Sequence, residues 1–237
     1  MNTEGINISA IQQKDAAPIV KEEKNQKNKL IVKTEQGINR VLDILGALCG
    51  IICLVPITIG VWIANLITKN KGPIFYNTDR IGKDGKNFKM YKFRSMVVGA
   101  DEILKEYLET HEDAKKEYRK YKKLKKDPRI TKVGEFIRKT SLDEFPQFIN
   151  VLKGEMTLVG PRPYLPREKE DMKEYYESII KCKPGVTGYW QISGRSNTTF
   201  EDRLKMETEY ANTKNLKTDI KIFFKTIKHV VTKEGAM

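Results

Sequence analysis

Residues 41–67 read VLDILGALCGIICLVPITIGVWIANLI, and the organisation of the whole chain follows from this one stretch. At 1.5 Å per residue its 27 residues make a helix of about 40 Å, long enough to cross a bilayer. Two residues argue against a plain crossing. Pro56, in the middle, removes a helix hydrogen bond and forces a kink, and Asp43 lies just inside the first end. Lys33 and Arg40 precede the stretch and Lys69 and Lys71 follow it. Short basic flanks stay on the cytoplasmic side, so both ends call for the same face. A helix that enters, breaks at Pro56 and returns satisfies both flanks; a single span with a proline kink is the alternative.

The rest of the chain is polar. Across 237 residues, 44 Lys and Arg stand against 31 Asp and Glu, a formal charge of +13. Hydrophobic residues make up 39% and charged residues 32%, with a mean hydropathy of −0.53, which excludes a multi-span membrane protein. Cys49, Cys53 and Cys182 are too few and too scattered for a disulfide framework or a Cys-rich zinc site. With only His111 and His229, histidine-based catalysis is disfavoured. Residues 1–37 are rich in Lys, Glu, Gln and Asn without apolar periodicity and read as a disordered or loosely helical polar tail. They fit a secretory signal poorly.

Downstream, GPIFYNTDRIGKDGKNFKMYKFRSM alternates apolar and polar residues around Lys83-Asp84-Gly85-Lys86, the pattern of a two-stranded hairpin. Residues 101–126 read as one long charged helix that Asp127-Pro128 ends; residues 135–139, 145–152, 171–180 and 199–212 read as further helices. In the last run Ile220, Phe223, Phe224, Ile227, Val230 and Val231 alternate with Lys217, Lys221, Lys225 and Lys228. Such a helix either lies on an anionic membrane surface or docks on a soluble core with its lysines in water. The expected class is α+β and helix-dominated, with a re-entrant membrane helix broken at Pro56, a small β-hairpin and amphipathic interfacial helices. The domains expected are the tail at 1–37, the membrane hairpin at 38–70 and a catalytic domain at 71–237.

The densest polar cluster joins Asp127-Pro128-Arg129, the run from Arg138 through Ser141, Asp143, Glu144 and Pro146 to Gln147, and Gly160-Pro161-Arg162-Pro163. Pro146 suits only the first turn of a helix, so a helix start is expected near Asp143, with both acids at its positive end. An ionised Asp143 beside Arg138 and Arg162 is a nucleophile suited to phosphorus, because arginines and a divalent cation neutralise the diphosphate that would repel it. The competing structural reading is a capping box, Ser141-x-x-Glu144.

These three fragments, GPIFYNTDRIGKDGKNFKMYKFRSM, DPRITKVGEFIRKTSLDEFPQFINVLKGEMTLVGPRP and KPGVTGYWQISGRSNTTFEDRL, follow a Pro-broken hydrophobic segment in that order. The arrangement closely resembles the bacterial sugar transferases, the monotopic polyprenyl-phosphate phosphoglycosyl transferases, in their compact form. The resemblance implies transfer of a sugar 1-phosphate from a UDP-sugar to undecaprenyl phosphate, with release of UMP, at the cytoplasmic face of the bacterial cell membrane. This would be the first membrane step of exopolysaccharide, capsule or other surface-glycan synthesis, with galactose or glucose favoured.

The same resemblance implies Asp143 as nucleophile of a covalent, ping-pong relay and Glu144 as its partner, the two holding Mg²⁺. It further implies that Arg138, Arg162 and Lys92 hold phosphate groups; Arg94, Arg129 and Gln147, by their places around the acid pair, and Arg195, in GVTGYWQISGRSN, read as further phosphate or substrate contacts. Asp219 matches a further acidic position loosely, and Pro56 matches the re-entrant break. The partners expected are the UDP-sugar, undecaprenyl phosphate and anionic lipids, with a homodimer left open. Nucleic acid is not expected, since the basic residues flank a hydrophobic anchor and no zinc-finger or RRM-like motif is present. A catalytically inactive membrane scaffold and a glycosyltransferase releasing UDP are the alternatives. Tyr189, Trp190 and Gln191 read equally as a nucleotide or sugar contact or as a packed turn.

Overall fold

The computed structural model describes residues 8–193 and 198–232, and the chain divides into two units, Met1–Val41 and Leu42–Met237. Helix α1, Ile8–Ile67, supplies the described part of the first unit and opens the second. The stretch read as a polar tail is therefore helical backbone from Ile8 onward, and residues 1–7 lie outside the described residues.

Within the second unit, α1 buries one stripe formed by Asp43, Ala47, Gly50, Leu54, Val61 and Asn65. Their spacings of three, four and seven residues fall on one helix face. Leu48, Ile52, Val55, Ile59, Trp62 and Leu66 are exposed on the remaining surface. Gly50 is required, since a Cβ there would run into the Phe148 ring. Asp43 is buried within reach of two donors, the Thr157 hydroxyl at 2.9 Å and the Leu158 N–H at 2.8 Å. The expected break at Pro56 is not formed, and α1 is continuous through it. Proline forfeits one backbone bond, but Leu54 before it and Val61 after it join the same core cluster with Phe93, Val133 and Ile137. Shared packing outweighs the missing bond.

The hairpin forms as expected. Strands β1, Phe75–Ile81, and β2, Asn87–Phe93, pair antiparallel with Tyr76 opposite Lys92. Asp84 and Gly85 take left-handed backbone in the turn, with φ of 56° and 75°. The single helix expected over 101–126 is instead two, α2, Ala100–Thr110, and α3, Glu112–Tyr121. His111 is extended between them, its ring stacked on Tyr107 at 4.2 Å and its Nδ1 at 3.1 Å from the Tyr107 carbonyl. That local bonding competes with helix continuation.

Helix α4, Lys132–Lys139, is capped by the Thr131 hydroxyl, which accepts the Gly134 N–H at 2.9 Å. Gly134 has no room for a side chain, because a Cβ would strike the Ser95 carbonyl. Helix α5, Gln147–Lys153, leads to β3, Thr157–Val159, which pairs parallel with β4, Gly185–Thr187. Between these strands the expected helix over 171–180 is a 3₁₀ segment, Glu170–Tyr175, kinked at Lys173 with φ of 48°, followed by the short α6, Tyr176–Ile179.

Helices α7, Tyr189–Ser193, α8, Phe200–Thr213, and α9, Leu216–Thr232, complete the described chain. Helix α9 docks through Ile222, buried against Val159 and Tyr210, while Ile220, Phe223, Phe224 and Ile227 stay exposed. Its apolar stripe is thus not the face that meets the core. The side chains of Val230 and Val231 lie outside the described residues.

Candidate active site

The site begins with strand alternation. Phe88 and Met90 of β2 point into the core with Ala47, Val151 and Met156, and Lys92 shares their face by the two-residue period. Asn150 of α5 fixes the register: its Oδ1 accepts the Tyr91 N–H at 3.0 Å and its Nδ2 donates to the Lys89 carbonyl at 2.7 Å. Helix α5 is thereby pinned along β2, and Lys92 meets the turn that precedes α5. Its Nζ lies 2.9 Å from Glu144 Oε1 and 3.5 Å from Asp143 Oδ2.

The two acids are not in the first turn of α5, as expected, but in a separate 3₁₀ turn, Leu142–Glu144. Ser141 enters it in left-handed backbone, φ 56°, with no side-chain cap, so the capping box is not formed. A non-glycine residue held there stores strain next to the acid pair. Burial pushes the Asp143 carboxyl above its ordinary value, against Lys92, and the Glu144 charge adds to the rise. Burial also pushes Glu144 up, but the attraction of Lys92, with Arg162 and a bond from Gln147, outweighs it and holds this carboxyl below its ordinary value. Gln147, itself buried, thus orients Glu144.

Arg138 lies in the last turn of α4, and its charge acts on Asp143. Arg162 sits in the turn after β3, where its N–H donates to Glu207 Oε1 of α8 at 3.0 Å. Glu207 is fully buried, and burial pushes its carboxyl up to about 8. The turn's backbone is pressed on its neighbours, since a Cβ on Gly160 would strike the Lys183 carbonyl.

Two of the expected phosphate ligands have other work. Arg94 is 6% exposed and donates to Pro73 O, Asn70 Oδ1, Met96 O, Asn70 O and Lys71 O, at 2.7 to 3.4 Å. All five guanidinium donors are thereby used, and Arg94 ties the end of α1 to the hairpin. Arg129 is paired bidentately with Asp127 at 2.8 and 2.7 Å. It closes its own turn. Asp219 belongs to a third place, accepting from the Tyr210 hydroxyl at 2.6 Å and pairing with Lys214 at 3.4 Å beneath β3. Arg195 lies outside the described residues. Tyr189 packs with the Val159 cluster and Gln191 donates to the Val186 carbonyl at 3.2 Å, a packed turn, whereas Trp190 stacks under Arg203.

Among the described residues no three acidic, His or Cys side chains gather as a metal cage. Asp143 and Glu144 are a sufficient protein contribution for Mg²⁺, an ion that takes its remaining ligands from phosphate and water. The Lys92 ammonium now stands against both carboxylates, so an ion there shares the pair with it.

The sequence reading missed Asn150 and Glu207. A polar residue inside the apolar run FINVL was the available signal for Asn150, and an acid four residues after Arg203 for Glu207.

Residues 34–233 match the family described as bacterial sugar transferase. Undecaprenyl-phosphate galactose phosphotransferase of Salmonella typhimurium is 44% identical over 209 residues, covering 88% of this chain and 44% of its own length. UDP-galactose-lipid carrier transferase of Erwinia amylovora is 43% identical over 209 residues, with 88% and 43% covered. Exopolysaccharide production protein ExoY of Rhizobium meliloti is 39% identical over 201 residues, with 83% and 87% covered. The chain thus spans less than half the length of the first two relatives and most of the third.

Proposed function

The chain belongs to the bacterial sugar transferase family, and from that premise we propose that it transfers a sugar 1-phosphate from a UDP-sugar to undecaprenyl phosphate with Asp143 as nucleophile. The observation that carries this reading is the Asp143–Glu144 pair, joined by Lys92 and flanked by Arg138 and Arg162. A buried carboxylate among cations is suited to attack a phosphorus that would repel it in water.

In this mechanism an Asp143 oxygen attacks the sugar-bearing phosphorus. The bond to the bridging oxygen breaks, and UMP leaves with that oxygen and its electron pair. A phosphate oxygen of undecaprenyl phosphate then attacks the same phosphorus, and Asp143 departs as carboxylate. Lys92 neutralises the phosphoryl oxygens and keeps Glu144 ionised, while Arg138 and Arg162 hold the donor. Mg²⁺ bound at Asp143 and Glu144 would supply further charge neutralisation of the diphosphate. The relay lets a soluble and a lipid substrate use one nucleophile in turn, which predicts ping-pong kinetics.

Galactose is the sugar favoured, as it stands in the names of two relatives, with glucose next. The product would begin an exopolysaccharide, capsule or other surface glycan. The exposed apolar surface of α1 and the exposed Ile220, Phe223, Phe224 and Ile227 of α9, beside Lys217, Lys221, Lys225 and Lys228, support seating on anionic lipid at the cytoplasmic face of the bacterial cell membrane.

The test is nucleotide release from detergent-solubilised protein given Mg²⁺, undecaprenyl phosphate and a panel of UDP-sugars. UMP with one donor, lost in Asp143→Asn, is the expected result. UDP instead of UMP would replace the reading with ordinary glycosyl transfer, and no nucleotide from any donor would favour the inactive scaffold.

A further inference from the structure

The turn that carries Arg162 has almost no backbone freedom. Proline fixes φ at Pro161 and Pro163, and Gly160 and Arg162, each the residue before a proline, are disfavoured from helical backbone. Neither proline has an N–H, so the Arg162 N–H is the one backbone donor in the run Pro161-Arg162-Pro163. The groups before it are bonded in turn. The Val159 carbonyl accepts the Tyr210 hydroxyl of α8 at 3.1 Å, the Gly160 N–H donates to the Thr187 carbonyl at 2.9 Å, and the Pro161 carbonyl accepts the Gly185 N–H at 2.8 Å. Beyond Arg162, the Pro163 carbonyl accepts Arg80 Nη1 at 3.0 Å and the Tyr164 carbonyl accepts the Ile81 N–H at 2.9 Å.

The Arg162 N–H itself goes to a side chain. Glu207 Oε1, three residues before Tyr210 on α8, accepts it at 3.0 Å. Glu207 is fully buried, so loss of its oxygen leaves that N–H without an acceptor in a place water does not reach. Burial keeps the carboxyl protonated to about 8, and in the neutral acid Oε1 accepts as an amide carbonyl does. Helix α8 thus grips the turn at two points, Val159 and Arg162. The second point is the root of a guanidinium whose buried Nε has no partner.

We propose that Glu207 is a positioning residue for donor binding, holding the Arg162 backbone so that the guanidinium meets the diphosphate of the UDP-sugar. The assignment rests on the proposed function for the part played by Arg162. Glu207 is buried and bonded to backbone, so its effect on the donor passes through Arg162.

Calorimetric titration of the detergent-solubilised full chain with UDP, the portion common to every UDP-sugar, is the test. Glu207→Met keeps the side-chain length and removes the oxygen acceptor, and should weaken UDP binding about tenfold. Glu207→Gln keeps the acceptor and should bind within about twofold of wild type. In an Arg162→Met background the same Glu207→Met change should cost less than about twofold, because two residues acting through one contact are not additive. A general loss of packing would weaken binding equally in both backgrounds.

If Glu207→Met does not fold, Glu207→Asp carries the test: it keeps the acid, shortens its reach by one methylene, and should weaken UDP binding about threefold only while Arg162 is present. Equal losses in both backgrounds, no loss in either, a glutamine variant as weak as the methionine one, or no UDP binding by the wild type overturns the assignment. An active transferase whose UDP affinity ignores Glu207 leaves the proposed reaction standing. Coupling between Glu207 and Arg162 in a protein that releases no UMP leaves this assignment standing and removes the reaction.

Discussion

The end of β2 and the turn after β3 both carry buried or half-buried arginines, and the two places differ in what the guanidinium groups hold. Arg94 at the first spends every donor on carbonyl oxygens, and Arg129 nearby is locked to Asp127. Arg162 at the second and Arg203 of α8 keep their Nε atoms unpartnered, and the buried acids Glu207 and Glu168 bond to backbone N–H groups. In sequence all four look alike, a basic residue in a turn or at the edge of an element. Partner saturation separates the arginines that build the fold from those whose guanidinium groups are not fully satisfied within it.

The strongest way to break this contrast is to remove the group that the incompletely satisfied cations are proposed to serve. Asp143→Asn should reduce UMP release at least ~10³-fold, since it removes the nucleophile, without lowering the thermal midpoint. Retained activity in that variant would leave the cations without a reaction to serve.

The contrast itself is sharpened by a matched pair of substitutions. Arg162→Met should lower kcat/KM by about 10²-fold with little change in thermal midpoint. Arg94→Met should destabilise by about 2–4 kcal/mol, because several carbonyls lose their donor at once, and the folded fraction should keep its turnover. Thermal unfolding and initial rates measured on the same samples separate the two, and equal losses of stability would dissolve the distinction.

A pH dependence tests the acid bonded to the Arg162 N–H. Unfolded Glu207 ionises near 4.5, whereas in the folded chain it holds its proton to about 8. Folding therefore takes up a proton between these values. Stability should fall as pH rises through that window, by up to ~1.4 kcal/mol per unit, and level off above about 8. Glu207→Gln cannot ionise and keeps an acceptor for the Arg162 N–H, so its stability relative to wild type should improve steadily across the same window. Parallel pH curves for the two proteins would show that Glu207 is ionised when folded.

Much of this architecture was legible because local chemistry agreed with tertiary demand. The hairpin forms where alternation and a Gly-containing turn coincide, and α8 starts at Thr199, whose hydroxyl accepts the Asp202 N–H. The acid pair was legible as a motif, but whether it caps a helix or sits free depended on one backbone angle, at Ser141. Pro56 misled because a proline's effect depends on what its helix packs against, and the cluster that holds both halves of α1 is assembled from β2 and α4, far away in sequence. Arg94 and Arg129 misled because sequence displays a charge without displaying its partner. The break at His111 turned on a ring stack with Tyr107 that helix periodicity does not register.

The central claim is that Asp143 carries the phosphosugar between two substrates. Its most direct measurement is UMP release from enzyme mixed with UDP-sugar and Mg²⁺ in the absence of any lipid acceptor, with the intact mass of the protein recorded alongside. The account predicts a burst approaching one UMP per chain, an added mass of one hexose phosphate on a peptide containing Asp143, and neither in Asp143→Asn. UMP that appears only after undecaprenyl phosphate is added, with no mass gained before it, would contradict the covalent relay.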